Sequence, residues 1–281
     1  MLLGEHCSIA GGLHAAPKAG RWIGCDAIQI FSRSPRMLRN TKPITAEEAE
    51  HWRRSMVENG IREAVIHTNY LINLASPAKR LLKVARTAFV EEMERAQVLG
   101  VRLLIFHPGA HMGKGEAKGL RAVAESLDDC VERADAPDVT LCLENTAGAG
   151  SSVGHKFEHL RGILDLSRHP ERIAMCFDTC HAFAAGYDIR TRPGYETVMS
   201  HLGETVGFDR VRAFHLNDSK GDVRSHLDRH ENIGKGKLKK AAFGFLVNDA
   251  RFAACPALLE TPGDDPAFRR NLKTLRSLVT A

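Results

Sequence analysis

Short apolar runs and longer amphipathic stretches alternate along the chain. The runs LLGEHCSI, AIQIFS, EAVIHTN, VRLLIFHPG, TLCLENT, RIAMCFDTC, VRAFHLND and PALLETP start near residues 2, 27, 63, 101, 140, 172, 211 and 256. Most are apolar at consecutive positions rather than at every second one, which predicts parallel strands buried on both faces. The stretches between them carry helical patterns. TAEEAEHWRRSMVENG opens with Thr45, has Glu48 three residues on and ends at Gly60, a capping box followed by a glycine stop. SPAKRLLKVARTAFVEEMERAQVLG starts on Ser-Pro and stops at Gly100, with apolar positions at helical spacing. EAKGLRAVAESLDDCVERA, KFEHLRGILDLS and LKKAAFGFLVND continue the series, and DPAFRRNLKTLRSLVTA is a helix at the end of the chain.

Eight β-then-α units predict an α/β fold of the (β/α)8 TIM-barrel type, with the active site at the C-terminal ends of the strands. A doubly wound open sheet is the competing arrangement, but it rarely uses eight such regular units. No repeat, low-complexity tract or shift in composition marks an internal boundary, so residues 1–281 read as one domain. Barrels of this kind run to roughly 250 residues.

Composition narrows the function classes. With 43% apolar and 26% charged residues, disorder, collagen-like structure and a coiled coil are excluded. No uncharged apolar run approaches the ~18 residues of a membrane span. The N-terminal MLLGEHCSIAGG lacks the basic and apolar regions of a signal peptide. Seven scattered cysteines form no CxxC pair, so neither a disulfide framework nor a thiolate zinc site is indicated, and a reducing, cytoplasmic compartment is expected. The net charge of +5 permits a polyanionic partner without requiring one.

Fourteen histidines are more telling because of where some of them fall. The last residues of six successive runs are His67, His107, Glu144, Asp178, His215 and Glu260, at intervals of 40, 37, 34, 37 and 45 residues. In a barrel these side chains converge on the mouth. Six ionisable groups around one axis are costly without compensating charge, and metal cations supply it. Two loop clusters add donors: His181, three residues after Asp178, and Asp228 with His230, which share a face of an extended segment. Asp218 and His226 lie nearby but are as well explained as solvated loop groups. Nine donors exceed one ion's needs, so two or three ions are expected, with a carboxylate such as Glu144 bridging. Histidine and carboxylate donors suit Zn²⁺, Mn²⁺ or Fe²⁺ better than Mg²⁺ or Ca²⁺. Sites of this kind typically hydrolyse phosphate esters.

The same residues lie in HTNYLINLASP (67–77), FHPGAH (106–111), LENTAGAGS (143–151), FDTCHAFAAGYD (177–188), HLNDSKG (215–221), DRHENIGKG (228–236) and LETP (259–262). In these stretches, spread in order over most of the chain, the sequence resembles the endonuclease IV family of apurinic/apyrimidinic (AP) endonucleases. The resemblance implies three zinc ions. The first is held by His67, His107 and Glu144, the second by Glu144, Asp178, His215 and Glu260, and the third by His181, Asp228 and His230. It implies a double-stranded DNA substrate with abasic or 3′-blocked lesions, and cleavage 5′ to the abasic site that leaves a 3′-hydroxyl and a 5′-deoxyribose phosphate, with Glu144 catalytic. It also implies that Arg36 and Tyr70 enter the duplex where the abasic nucleotide is extruded. A monomer is expected. Asn145, Asn217 and His6 are candidates for orienting the ligands. Two positions depart from the family pattern: Ala110 stands where Ser is usual, and Lys235 where many relatives carry an acid. Lys235 joins Lys237, Lys239 and Lys240 in a basic stretch. A metal-dependent sugar isomerase or epimerase on the same barrel is the alternative, and it would need fewer metals and no His181/Asp228/His230 set.

Overall fold

The computed structural model of the protein describes residues 1–38 and 42–280. In chain order its strands are β1 (Leu2–His6), β2 (Ala27–Phe31), β3 (Glu63–His67), β4 (Leu103–Phe106), β5 (Thr140–Glu144), β6 (Ile173–Asp178) and β7 (Val211–His215). A two-stranded ribbon of β8 (Asp218–Ser219) and β9 (His230–Glu231) follows, and then β10 (Pro256–Leu259). All but the ribbon are parallel and close into an eight-stranded barrel, in the order β1-β10-β7-β6-β5-β4-β3-β2. The helices are α1 (Ala15–Ile23), α2 (Ala46–Glu58), α3 (Lys79–Leu99), α4 (Glu116–Arg133), α5 (Phe157–Leu166), α6 (Thr179–Ala185), α7 (Arg192–Thr205), α8 (Lys239–Val247) and α9 (Asp265–Ser277). Among the described residues no helix is long and apolar enough to cross a membrane.

The consecutive apolar positions are explained by two cores. One set of strand residues, Ala27, Val65, Leu103, Ile105, Cys142, Ala174, Cys176, Ala213 and Leu258, fills the barrel interior. Their neighbours in sequence, such as Ile28, Ile66, Leu104, Leu143, Phe177 and Leu259, pack outward in a second cluster that includes helix residues. The inner set is rich in alanine and cysteine because little width is left at the barrel axis. Cys142 and Cys176 are therefore packing residues, and burial pushes both thiols up, Cys176 to about 12 and Cys142 further still.

The predicted capping box at α2 is present, with Glu48 N–H donating to Thr45 Oγ1 and Thr45 N–H to the Glu48 carboxylate. Gly100 ends α3 in the left-handed conformation, and Val101 N–H bonds back to Ala96 as part of that cap. For this reason β4 starts at Leu103 rather than at 101. Three of the helices named above are additional to the sequence reading: α1, α6 and α7. Pro17 and Gly20 lie inside α1, and Pro193 with Gly194 opens α7, residues that weaken a helical signature by composition. In α7 the Thr191 side chain caps Gly194 N–H and offsets this.

Candidate metal centre

The interior set fixes which residues point into the mouth, because strand side chains repeat with period two. Two residues beyond Val65, Ile105, Cys142, Cys176, Ala213 and Leu258 stand His67, His107, Glu144, Asp178, His215 and Glu260. The sequence-predicted strand-end residues thus form the next layer above the core. The donor atoms of His67, His107 and Glu144 lie within 4.8 Å of one another, as do those of Glu144, Asp178, His215 and Glu260.

Glu144 is fully buried and sits at the centre. Its Oε2 is 3.0 Å from His67 Nε2 and 3.1 Å from His107 Nε2, while its Oε1 is 2.9 Å from His215 Nδ1 and 3.2 Å from His181 Nδ1. Other ring nitrogens are held by carbonyls. His67 Nδ1 donates to Thr68 O (2.7 Å), His181 Nδ1 to Asn145 O (2.9 Å), His230 Nδ1 to Glu260 O (3.1 Å) and His215 Nε2 to the Gln29 amide oxygen (2.8 Å). In a neutral ring this leaves the Nε2 lone pairs of His67, His181 and His230, and the Nδ1 lone pair of His215, turned towards carboxylates. Lone pairs facing anions require either a second proton on each ring or a cation between them.

The electrostatics carry the same requirement. Burial alone would lower the His67 and His181 imidazoles, but neighbouring carboxylates, Glu144 for the first and Asp178, Asp228 and Glu144 for the second, raise both. Burial would likewise raise Glu144, yet the surrounding histidines hold it well below the carboxylate range.

The loop donors complete a third group. Asp178 accepts His181 N–H at 2.7 Å and so caps α6, which places His181 one turn into the helix beside the mouth. Asp228 Oδ1 is 3.2 Å from His181 Nε2 and 3.3 Å from His230 Nε2. Those two buried ring nitrogens are close to the carboxylate without hydrogen-bond geometry. The donor atoms of Asp178, His181 and His230 lie within 4.8 Å of one another, with Asp228 beside both histidines. Asp178 adjoins this group too, 3.9 Å from His230 Nε2. The orphaned nitrogens and the donor chemistry fit divalent transition-metal cations.

The sequence reading missed Gln29. It follows Ala27 by two residues, so it occupies on β2 the layer that the ligands occupy on other strands. Fully buried, it donates to Glu260 Oε1 (2.7 Å), accepts from His215 and lies 2.9 Å from His6 Nδ1. A lone amide between two isoleucines, in the phase of the interior set, was the available signal. Asn217 donates to Asp178 Oδ2 at 2.7 Å and accepts Glu260 N–H, while Asn145 pairs with the Asp178 backbone in both directions.

Comparison with known proteins shows the family. The chain matches the AP endonuclease 2 family, described as a xylose isomerase-like TIM barrel, over residues 18–278. It is 46% identical to the probable endonuclease 4 of Geobacter sulfurreducens, covering 99% of this chain and 94% of the relative. With the probable endonuclease 4 of Chloroflexus aurantiacus it shares 45% identity, over 98% and 97%. The crystal structure of endonuclease IV from Thermus thermophilus superposes with a TM-score of 0.87 at 32% identity, over 99% and 98%. The chain belongs to the endonuclease IV family. A D-tagatose 3-epimerase-like protein, at 18% identity and a TM-score of 0.76, shares the fold alone.

A further trio, Glu116, His155 and His159, also brings donors within 4.8 Å, but its hydrogen bonds are already made. Gly154 N–H donates to His159 Nδ1 (3.2 Å), so the ring proton sits on Nε2, 3.1 Å from Glu116 Oε2. Lys156 Nζ lies 3.2 Å from the same oxygen. His159 has no lone pair left for a cation, and in this endonuclease IV-family chain the trio ties α5 to the start of α4.

Around the mouth, a groove of about 250 Å³ is lined by Tyr70, His107, Ala110, Ser152, His181 and Asp228, among others. Asn73 fixes its wall by pairing with the Ala110 backbone in both directions. Gly109 is required beneath it, with φ +111° and no room for a Cβ beside Asn73 Oδ1. Tyr70 and Arg36 are exposed on the loops after β3 and β2. Asp218 turns inward and accepts the N–H groups of Ser219, Gly234, Gly236 and Leu238 at 2.8–3.0 Å. It therefore shapes the loop carrying Lys235 and Lys237, both exposed. His226 bonds to the Ala147 carbonyl.

Proposed function

We propose that this endonuclease IV-family protein is a DNA-repair enzyme that hydrolyses the phosphodiester bond 5′ to abasic sites in double-stranded DNA. The products are a 3′-hydroxyl and a 5′-deoxyribose phosphate, and 3′-blocked ends are companion substrates. The observation that carries this reading is a mouth of nine donors centred on one of them, buried Glu144, which four of the histidines surround, in a chain of this family. Residues 1–281 act as one domain, monomeric and cytoplasmic.

Three zinc ions fit the donors: His67, His107 and Glu144 for one, Glu144, Asp178, His215 and Glu260 for another, and His181, Asp228 and His230 for the third. Such ions, when bound, polarise phosphate oxygens and bring the pKa of water towards neutrality. The chain supplies the rest. Glu144 bridges two donor groups and, being fully buried, keeps its carboxylate in a fixed orientation. Gln29, Asn145 and Asn217 hold the ligands and so set the site before substrate arrives. Arg36 and Tyr70 on the rim would stack against the base pairs exposed by the extruded nucleotide, which offsets unstacking. The exposed Lys235, Lys237, Lys239 and Lys240 add phosphate contacts. The third donor group favours this reading over a sugar isomerase, which has no use for it.

The test is a duplex containing one tetrahydrofuran abasic analogue. Wild-type protein is expected to cut immediately 5′ to the analogue, to lose this activity on chelation and to regain it with zinc. Glu144→Gln should bind the duplex and leave it intact. A fully metal-loaded protein that leaves the analogue strand uncut overturns the reading.

A further inference from the structure

The loop after β2 carries Arg36 and the loop after β3 carries Tyr70, and one buried side chain lies between them. Asn69 is 2% exposed. Its Nδ2 donates to Met37 O at 3.0 Å and to Ser34 O at 3.4 Å, on either side of Arg36. Its Oδ1 accepts Leu71 N–H at 2.8 Å, just past Tyr70. One amide thus ties the two exposed side chains to each other through their backbones.

The root of the Arg36 loop is anchored independently. Arg33 is buried, with Nε donating to Glu92 Oε1 (2.6 Å) and Nη2 to Ala88 O (2.7 Å), both on α3. Ser32 Oγ donates to Glu92 Oε2, and Arg95 on α3 donates back to Ser32 Oγ at 2.8 Å. Beyond this root, among the described residues, the only hydrogen bonds that 34–38 receive from another element are those of Asn69. Among the described residues, Asn69 is the hydrogen-bonded link between this tip and the Tyr70 loop, while Leu38 at its end packs against the core.

We infer that Asn69 is a positioning residue that holds the Arg36 and Tyr70 loops in one geometry, so that both side chains enter a distorted duplex together. This rests on the DNA-repair reading above and deepens it. Binding energy is then available without first ordering two loops separately, which is the cost that preorganisation removes. Asn69 lies two residues beyond His67, but its side-chain hydrogen bonds all go to the two loops and none to the donor groups, so its effect is separable from theirs.

Asn69→Asp tests the link selectively. It keeps the acceptor for Leu71 N–H and turns the donor facing Met37 and Ser34 into an oxygen that repels their carbonyls. Asn69→Ala removes both halves and serves as the second variant. With the tetrahydrofuran duplex, each variant should raise KM about tenfold, with kcat within about twofold and zinc content unchanged. In a double-mutant cycle, the KM penalty of Arg36→Ala should shrink from about tenfold in wild type to about threefold or less in the Asn69→Asp background. Additive penalties, or a wild-type KM for Asn69→Asp, overturn the positioning role while wild-type incision leaves the repair reading standing. Wild-type protein that neither binds nor cuts the duplex overturns both.

Discussion

Gln29 shows how much of the centre is built by residues outside the donor set. Its amide spans from β2 to His215 on β7 and to Glu260 just past β10, giving each a hydrogen bond at 2.8 and 2.7 Å. Orienting partners of this kind are typically worth about 10–100-fold in metal affinity. Gln29→Leu, which keeps most of the volume, is therefore expected to weaken zinc binding about 10–100-fold while incision recovers at raised zinc. Competitive titration with a chromogenic chelator measures it, and an unchanged affinity would show that packing alone orients His215 and Glu260. Six of the nine donors were legible in the sequence because each is a residue type that rarely ends a strand without cause, repeated once per β/α unit, and His181, Asp228 and His230 stood out as clusters in the loops that follow. Gln29 carries no charge and stands alone in its run, so only the in-out phase of β2, which a consecutively apolar strand conceals, distinguishes it.

At the scale of elements, the same apolar runs that made the strands readable made their facing unreadable until the interior set was known. The short helices were harder still: α6 is seven residues long and starts within the DTCH motif, where Asp178 serves both as its cap and as a donor. The loop after β7 shows the reverse case, an acid that looks like a ligand and is an anchor. Asp218 lines up four backbone N–H groups, and Gly236 must lack a side chain because a Cβ there would collide with Asp218 Oδ1. Burial pushes the Asp218 carboxyl up, and the N–H groups pull part of the way back. Asp218→Ala leaves those donors buried without an acceptor, so a loss of about 3 kcal/mol is expected, with Asp218→Asn intermediate. Urea unfolding reads this directly. Because β8 begins at Asp218 and pairs with β9 at His230, the alanine variant should also bind less zinc. Equal stability of all three proteins would mean that the loop is held by something other than this carboxylate.

For the molecule as a whole, six of the nine donors stand at the ends of six of the eight barrel strands, so the charge state of the mouth bears on the closure of the barrel itself. Without cations, the carboxylates there favour protonation of the histidines that face them. Burial alone would lower His230, but Asp228 and Asp178 raise it from its ordinary 6.5 to about 9, and His67, His181 and His215 are raised as well. A group whose pKa is raised on folding stabilises the fold in full below its unfolded value and loses that contribution as pH climbs through the folded one. Metal-stripped protein should therefore melt at progressively lower temperature as pH rises from about 6.5 to about 9. The zinc-loaded protein should behave oppositely, because its ligands must be deprotonated to bind and proton competition relaxes with pH. The gap between the two melting temperatures is expected to widen steadily across that range. Since the pairs cross the barrel rather than lie within one element, the shift should appear as movement of one cooperative transition, not as an early local step. Scanning calorimetry at three pH values on stripped and loaded samples decides it. A stripped protein whose melting temperature holds constant or rises over this interval would mean that the histidines are neutral in the empty site and that its carboxylates carry the protons instead.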